Sequence, residues 1–317
     1  MNIVALTTMD LTTMTENMPQ SLKERCHFQW FTSSKEAGTA IEEADVIITA
    51  GRMQPELLVR ASRVKWVQTI SAGVDKLPLE ELARRDIIVT NARGVHTIQM
   101  SEFALSLMLQ WVRRANQLHD NQQAKVWNHL ITFDELHGKT LGIIGAGAIG
   151  EAVAKKAKAF DMQVIGLNRS GLANPAFDMT VSGEDGLRTL LTQSDIVVLL
   201  LPSTEKTRGF LKKEHLALLK PSAFLINLAR GDVLDEDALV SALQEGRIAG
   251  AALDVFATEP LPEASPLWSL PNVIVTPHIA GASAQYAKRV SEIFYHNLAA
   301  MLDGGEMMNV VDLKEGY

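Results

Sequence analysis

With a single cysteine, Cys26, the chain cannot form an internal disulfide, and we read that residue as a small buried hydrophobe. Positive charge is also in short supply. The 30 lysines and arginines face 37 aspartates and glutamates, a formal charge of −7, which gives no electrostatic footprint for nucleic acid or an anionic membrane. Long apolar runs are missing: the longest near the middle, Ile196–Leu201, has a strand's length rather than a membrane span's. The N-terminus, Met1-Asn-Ile-Val-Ala-Leu-Thr7, lacks the basic segment and long apolar stretch of a secretion signal, so a cytoplasmic protein is expected. The 8 histidines contain no His-x-x-x-His pair and have no cysteine partner, so no metal site is expected.

What is present is an alternation. The 317 residues are enough for about two domains. In the first hundred, Ile3–Leu6, Val46–Thr49, Trp66–Ile70 and Ile87–Thr90 read as buried parallel strands, with helical stretches at Gln54–Ser62 and Leu77–Arg84. One long helix is expected over Met100–Gln122, followed by an irregular connecting arm, Ala124–Gly138. A second series then starts, with strands at Thr140–Ile144, Gln163–Leu167, Ile196–Leu200, Ala223–Leu228, Ala249–Asp254 and Val273–Thr276. Six strands separated by helices is the count of a complete dinucleotide-binding domain. Val290, Ile293, Phe294, Leu298 and Met301 recur at helical spacing near the end. That helix is expected to pack back on the N-terminal half, which makes the first domain discontinuous: 1–98 with 283–317, around a dinucleotide-binding domain 99–282.

The strand Thr140–Ile144 runs straight into Gly145-Ala-Gly147-Ala-Ile-Gly150, and helical spacing follows. A Gly-x-Gly-x-x-Gly between a strand and a helix is the phosphate-binding turn of that domain class. Gly145 permits the tight turn, Gly147 lets the backbone approach a pyrophosphate, and Gly150 lets helix and strand pack closely. The helix N-terminus, at Ala148 and Ile149, offers its N–H groups to the phosphates. About twenty residues on, where an acid would bond the adenosine ribose, stand Asn168-Arg169-Ser170. Arginine and serine suit a 2′-phosphate, so NADP is expected to be preferred, with NAD possible. The alternative is an exposed Arg169 beside an Asn168 that holds an ordinary ribose.

Three polar residues follow strands of the same series: Arg230 after Ala223–Leu228, Glu259 after Ala249–Asp254, and His278 after Val273–Thr276. Ligands of an open parallel sheet bind outside the carboxyl ends of its strands, so all three fall on the cofactor edge. The set suits carbonyl reduction. Histidine can protonate the developing alkoxide, a carboxylate beside it stabilises the imidazolium, and arginine can hold a substrate carboxylate in a two-pronged grip.

These stretches, with Leu201-Pro-Ser-Thr-Glu-Lys-Thr207, Asn227-Leu-Ala-Arg-Gly-Asp232, Ala252-Leu-Asp-Val-Phe256 and Pro277-His-Ile-Ala280, resemble the D-isomer-specific 2-hydroxyacid dehydrogenases. In the first half, Ser71-Ala-Gly-Val-Asp75 and Asn91-Ala-Arg-Gly-Val95 look like that family's substrate-domain loops. The pattern is most similar to short glyoxylate/hydroxypyruvate reductase-like members. The resemblance implies two doubly wound α/β domains, a discontinuous flavodoxin-like substrate domain and a Rossmann domain for NAD(P). It implies substrate binding by Arg230, acid/base action by His278 with Glu259 as partner, and a substrate carboxylate held on the N–H groups of Ala72 and Gly73. Leu201 and Pro202 would line the adenine pocket, and Thr207 would lie near the phosphates. Leu228 and Ala229 would flank the nicotinamide ribose, Asp254 would bond the nicotinamide amide, and Gly281 would border the cofactor. Members are commonly homodimers through the Met100–Gln122 region.

The expected function is therefore NAD(P)H-dependent reduction of a small 2-oxo acid to the D-2-hydroxy acid. The alternative of a different class is a dinucleotide-sensing interaction protein, like the corepressors that resemble this family. Those carry long extra tails that are not seen here. Arg52 could meet the far end of a substrate, and His96 sits close to the Asn91–Val95 loop. A solvated charge and a structural histidine are the competing readings of those two.

Overall fold

Short runs of β-branched and other apolar residues become buried parallel strands throughout the computed structural model, which describes residues 1–316. The chain divides into two units: Met1–His96 completed by the segment from Ser283, and Thr97–Ala282.

In the first unit, β1 (Asn2–Leu6), β2 (His27–Phe31), β3 (Val46–Thr49), β4 (Trp66–Thr69) and β5 (Ile88–Thr90) pair in the order β2-β1-β3-β4-β5, all parallel. This is the flavodoxin-like order. The central strands β3 and β4 are buried along their whole length, as uninterrupted Val-Ile-Ile-Thr and Trp-Val-Gln-Thr require. Strand β2 is an addition to the sequence expectation. It lies on an edge with a half-exposed face, and His27-Phe-Gln-Trp-Phe31 therefore carries no continuous apolar run.

Four short helices, α1 (Thr12–Glu16), α2 (Gln20–Lys23), α3 (Pro55–Arg60) and α4 (Leu79–Arg84), cover this sheet with the C-terminal helix Tyr286–Asp303. The C-terminal helix docks by stacking Phe294 on Trp66, with ring centroids 5.6 Å apart. Its buried Asn297 donates to Gln68 on β4 and to the Met308 carbonyl, and accepts from the Met308 N–H. Both ends of the chain thus build one unit.

The second unit holds a seven-stranded parallel sheet: β6 (Thr140–Ile144), β7 (Gln163–Leu167), β8 (Met179–Val181), β9 (Ile196–Leu199), β10 (Phe224–Asn227), β11 (Gly250–Leu253) and β12 (Val273–Val275). Their order is β12-β11-β10-β9-β6-β7-β8, the Rossmann arrangement with one strand more. The sequence expectation of six strands is corrected here. Strand β8 spans only 3 residues on an edge, which is too short to leave a hydrophobic signature. Sheet order reverses between β6 and β9, so the loops after those strands diverge and open a crevice.

The single long helix expected over Met100–Gln122 is two helices, α5 (Thr97–Val112) and α6 (Ala115–Gln123). Arg114 between them has the left-handed φ of 51°. The cause is tertiary. The N–H of Asp134, from the irregular arm, takes the Val112 carbonyl that a continuing helix would use. Arg113 and Arg114 sit over the rings of Phe133 and Trp111, 4.8 and 5.1 Å from the centroids. Helices α7 (Ala148–Lys158), α8 (Gly183–Gln193), α9 (Lys213–Leu216) and α10 (Glu236–Gln244) complete the two covering layers, each with its own buried cluster.

Candidate active site

The glycine turn after β6 is shaped by what it touches. A side chain at Gly145 would meet the Leu200 carbonyl carbon and oxygen at 2.8 and 2.9 Å, and its φ of 110° already disfavours any other residue. At Gly150 the obstruction is the Gly145 carbonyl, so helix and turn can pack this closely only with glycine. Gly147 is different: nothing lies within 4 Å of where its Cβ would be. Open space at that glycine, ahead of helix α7 whose first turn has no side-chain cap, is a cradle for a diphosphate. The residues present fit a dinucleotide.

The turn after β7 is built by its own first residue. The Asn168 side-chain oxygen Oδ1 accepts from the Gly171 N–H at 2.6 Å, and its side-chain NH₂ donates to the Leu172 carbonyl at 3.0 Å. Asn168 is therefore largely spent as a brace, while Arg169 and Ser170 are exposed. In the loop after β9, the Thr207 hydroxyl donates to the Pro202 carbonyl at 2.6 Å and accepts from the Thr204 N–H. Thr207 closes that loop, whose Leu201 is half-buried and Pro202 exposed. Leu228 and Ala229 are buried, and Asn227 fixes their turn by accepting from the Ala229 N–H and donating to the Arg230 carbonyl. The Arg230 guanidinium folds back to donate to the Ala229 carbonyl at 2.7 Å. Gly231 then lies directly on the Phe256–Ala257 backbone, with no room for a Cβ, so the Arg230 loop packs against the loop that bears Glu259.

His278 and Glu259 meet. His278 Nδ1 lies 2.8 Å from Glu259 Oε2, and Glu259 Oε1 accepts from the Phe256 N–H at 3.1 Å. An ionised carboxylate only accepts, so Nδ1 is the donor in this pair, which leaves Nε2 for another partner. A cavity of about 410 Å³ opens beside the pair, walled by Phe256, Leu261, Trp268 and Pro277.

His278 itself has φ = 54°, an uncommon backbone state for a residue with a side chain. Asp254, which is almost fully buried, holds it there. One oxygen accepts from the Thr276 hydroxyl at 2.6 Å and the Ile279 N–H at 2.9 Å, and the other from the Ala280 N–H at 2.9 Å. The carboxylate thus grips the chain on both sides of His278, a duty that reading the sequence does not assign to it. Thr276 and Asn227 are likewise missed. Their positions at strand ends, beside His278 and Arg230, were the available signal. The Gly281 carbonyl accepts from Gln99 of α5 at 3.1 Å.

In the first unit, loop 71–74 follows β4. The Ala72 and Gly73 N–H groups donate to no acceptor among the described residues. Their carbonyls are tied back, Ala72 to the Asn91 amide at 2.9 Å and Gly73 to the Ser71 hydroxyl at 2.8 Å. A pair of outward backbone donors is an anion site in miniature. Arg52 is exposed after β3, and His96 rests against Tyr286. The Cys26 thiol is partly buried, which pushes its pKa up, and it donates to the Leu22 carbonyl at 3.0 Å. No helix among the described residues is long and apolar enough to cross a membrane.

A Rossmann sheet with this turn, and with polar groups gathered at the carboxyl ends of its strands, defines a nicotinamide-dinucleotide oxidoreductase. Residues 105–280 match the family model described as "D-isomer specific 2-hydroxyacid dehydrogenase, NAD binding domain". Over 296 residues, covering 89% of this chain and 87% of the relative, the sequence is 37% identical to a glyoxylate reductase of Thermofilum pendens. A D-isomer specific 2-hydroxyacid dehydrogenase family protein from Aeromonas salmonicida has the same fold, with TM-score 0.88, 32% identity, and 98% and 99% of the two chains covered. So does an NADPH-dependent glyoxylate/hydroxypyruvate reductase of Sinorhizobium meliloti, solved with NADP and sulfate, with TM-score 0.87, 26% identity, and 100% and 99% covered. The chain belongs to the D-isomer specific 2-hydroxyacid dehydrogenase family and is an NAD(P)-dependent enzyme.

Proposed function

We propose that this enzyme reduces a small 2-oxo acid of the glyoxylate or hydroxypyruvate kind to its D-2-hydroxy acid, with NADPH preferred over NADH. The observation that carries the reading is the His278–Glu259 pair, 2.8 Å apart at the carboxyl edge of the sheet that bears the dinucleotide turn. The names of the glyoxylate reductase and glyoxylate/hydroxypyruvate reductase relatives support the substrate class.

When bound, the dinucleotide would supply the hydride for the keto carbon. His278 Nε2–H gives its proton to the oxygen as charge develops there. Glu259 orients the ring and stabilises the imidazolium before transfer, and Asp254 keeps the backbone of His278 in position. Arg230, one of whose nitrogens donates to the Ala229 carbonyl, would turn its fork to the substrate carboxylate, a planar two-pronged contact that lysine cannot reproduce. The Ala72 and Gly73 N–H groups offer a carboxylate site within unit 1, which supports reading unit 1 as the substrate domain. Gly145, Gly147, Gly150 and the α7 N-terminus receive the pyrophosphate. Leu201, Pro202, Leu228, Ala229 and Gly281 line the rest of the cofactor's path, and the Thr207 hydroxyl keeps the loop beside the phosphates closed. Asp254 has a lone pair left for the nicotinamide amide.

NADPH preference rests on Arg169 and Ser170 standing exposed where an acid would repel a 2′-phosphate. Self-association as a homodimer through the Met100–Gln122 region is supported by exposed apolar residues there and on the arm that follows, Leu118 at 44%, Trp127 at 93% and Leu130 at 80%. Introducing glutamate at Trp127 and Leu130 should leave a monomer by sedimentation analysis.

The test is steady-state reduction of glyoxylate and hydroxypyruvate with both cofactors, comparing wild type with His278→Ala. General acid catalysis is worth about 10²–10⁴-fold, so kcat should fall by that factor while NADPH affinity holds. Near-normal kcat in His278→Ala defeats the role of His278. A wild-type protein that binds NADPH and reduces no 2-oxo acid points to the sensing protein instead.

A further inference from the structure

Loop 71–74 presents its N–H groups because its carbonyls are turned the other way. Four consecutive carbonyls, from Ile70 to Gly73, each accept a hydrogen bond within unit 1. Three of the donors are local to the sheet edge: the Ala92 N–H reaches Ser71 at 3.0 Å, the Asn91 amide reaches Ala72, and the Ser71 hydroxyl reaches Gly73. Thr69 braces the turn from below, its hydroxyl accepting from the Ser71 N–H at 3.0 Å. The fourth donor comes from far along the chain. The Tyr286 hydroxyl, in the first turn of the C-terminal helix, donates to the Ile70 carbonyl.

Tyr286 is well placed to hold that bond. Its ring packs against His96, with centroids 5.1 Å apart, and is itself half-buried. Burial pushes the phenol up to about 12, so the hydroxyl keeps its proton, and donates, at every pH at which an enzyme works. Gly51 lets the loop pack close against it, because a side chain there would collide with the Ser71 hydroxyl. The Ile70 carbonyl, at the root of the loop, therefore has its direction set by one phenol.

We infer that Tyr286 is a positioning residue for the carboxylate site: by holding the Ile70 carbonyl it aims the Ala72 and Gly73 N–H groups at a substrate carboxylate. This rests on the proposed 2-oxo acid reaction. It assigns no contact between Tyr286 and substrate.

Tyr286→Phe keeps the ring and its packing on His96 and removes only the hydroxyl. KM for glyoxylate should rise about three- to tenfold, the effect of one neutral hydrogen bond, with kcat changed less than about twofold. The NADPH dissociation constant, from fluorescence titration, should not move. Oxalate, which carries the carboxylate and cannot be reduced, should lose affinity by the same factor when its binding to the NADPH-loaded enzyme is read by thermal shift. Unchanged KM with unchanged oxalate affinity overturns the assignment. So does a parallel loss of NADPH affinity, which marks general loosening. A wild-type protein that reduces no 2-oxo acid, but whose oxalate binding weakens in Tyr286→Phe, defeats the proposed reaction and leaves this assignment standing. A wild-type protein that neither reduces 2-oxo acids nor binds oxalate overturns both.

Discussion

Replacing Gly231 with alanine adds one methyl group to a residue that has no side chain to offer a ligand, and it should nearly silence the enzyme. A Cβ at this position falls on the carbonyl carbon and oxygen of Phe256 and on the nitrogen of Ala257, all backbone atoms, where ordinary contact needs 3.4–4 Å. No side chain can swing aside, so one loop must retreat. The Arg230 loop is held by Asn227 through the Ala229 N–H and the Arg230 carbonyl. The other loop is held by the Phe256 N–H on Glu259. Retreat of either by about 1 Å parts Arg230 from its aim or Glu259 from His278, and misplacement of that size costs about 10²-fold in rate. Overpacking should also lower stability by about 1–3 kcal/mol. The dinucleotide turn lies on other loops, but Leu228 and Ala229 share the Arg230 loop, so NADPH affinity by fluorescence titration should fall by less than about tenfold and doubles as the check on folding. We expect kcat on the best 2-oxo acid, at saturating NADPH, to drop about a hundredfold. A variant that binds NADPH normally and keeps kcat within threefold would refute the argument that these two loops position the chemistry together.

Three further outcomes follow from the geometry. Gly147→Ala has room for its methyl group in the protein alone, so thermal stability should hold while NADPH affinity falls at least tenfold; unimpaired binding would mean the pyrophosphate lies elsewhere. Asp254→Asn replaces one carboxylate oxygen by an NH₂, which meets either the Ala280 N–H alone or the Ile279 N–H together with the Thr276 hydroxyl, at about 1–3 kcal/mol for each unmet group, and loosens the strained backbone of His278. Melting temperature and kcat should fall together, and a variant with normal kcat argues against the grip on His278. At the opposite edge of the sheet, burial alone would raise the Asp195 carboxyl, but the Lys220 ammonium at 2.8 Å and the Thr140 N–H at 2.9 Å hold it below its ordinary value. Its folded pKa is depressed, so the stabilisation is fully present above the unfolded value, about 3.9, and is lost as pH falls through the folded one. Asp195→Asn should therefore cost about 1–3 kcal/mol in urea unfolding at pH 7 and progressively less below about pH 4; a pH-independent difference would contradict this.

The sequence by itself determined the parallel strands of both sheets wherever they are central, because a strand buried on both faces is apolar at nearly every position, as Val46–Ile48 and Ile196–Leu199 are. It also determined the glycine turn, because only glycine tolerates the left-handed φ and the backbone approach at Gly145. The edge strands β2 and β8 were not legible, since half-exposed or very short strands need no such pattern. The break between α5 and α6 was decided by the arm, whose Asp134 N–H competes for the Val112 carbonyl from outside the helix. Arg230, Glu259 and His278 could be picked out by residue type and by their places after strands. Their supports could not. Asp254 acts through hydrogen bonds to residues more than twenty positions away, and Gly231 through contact with a loop some twenty-five away. Such partners share no local spacing, and only the folded sheet brings them together.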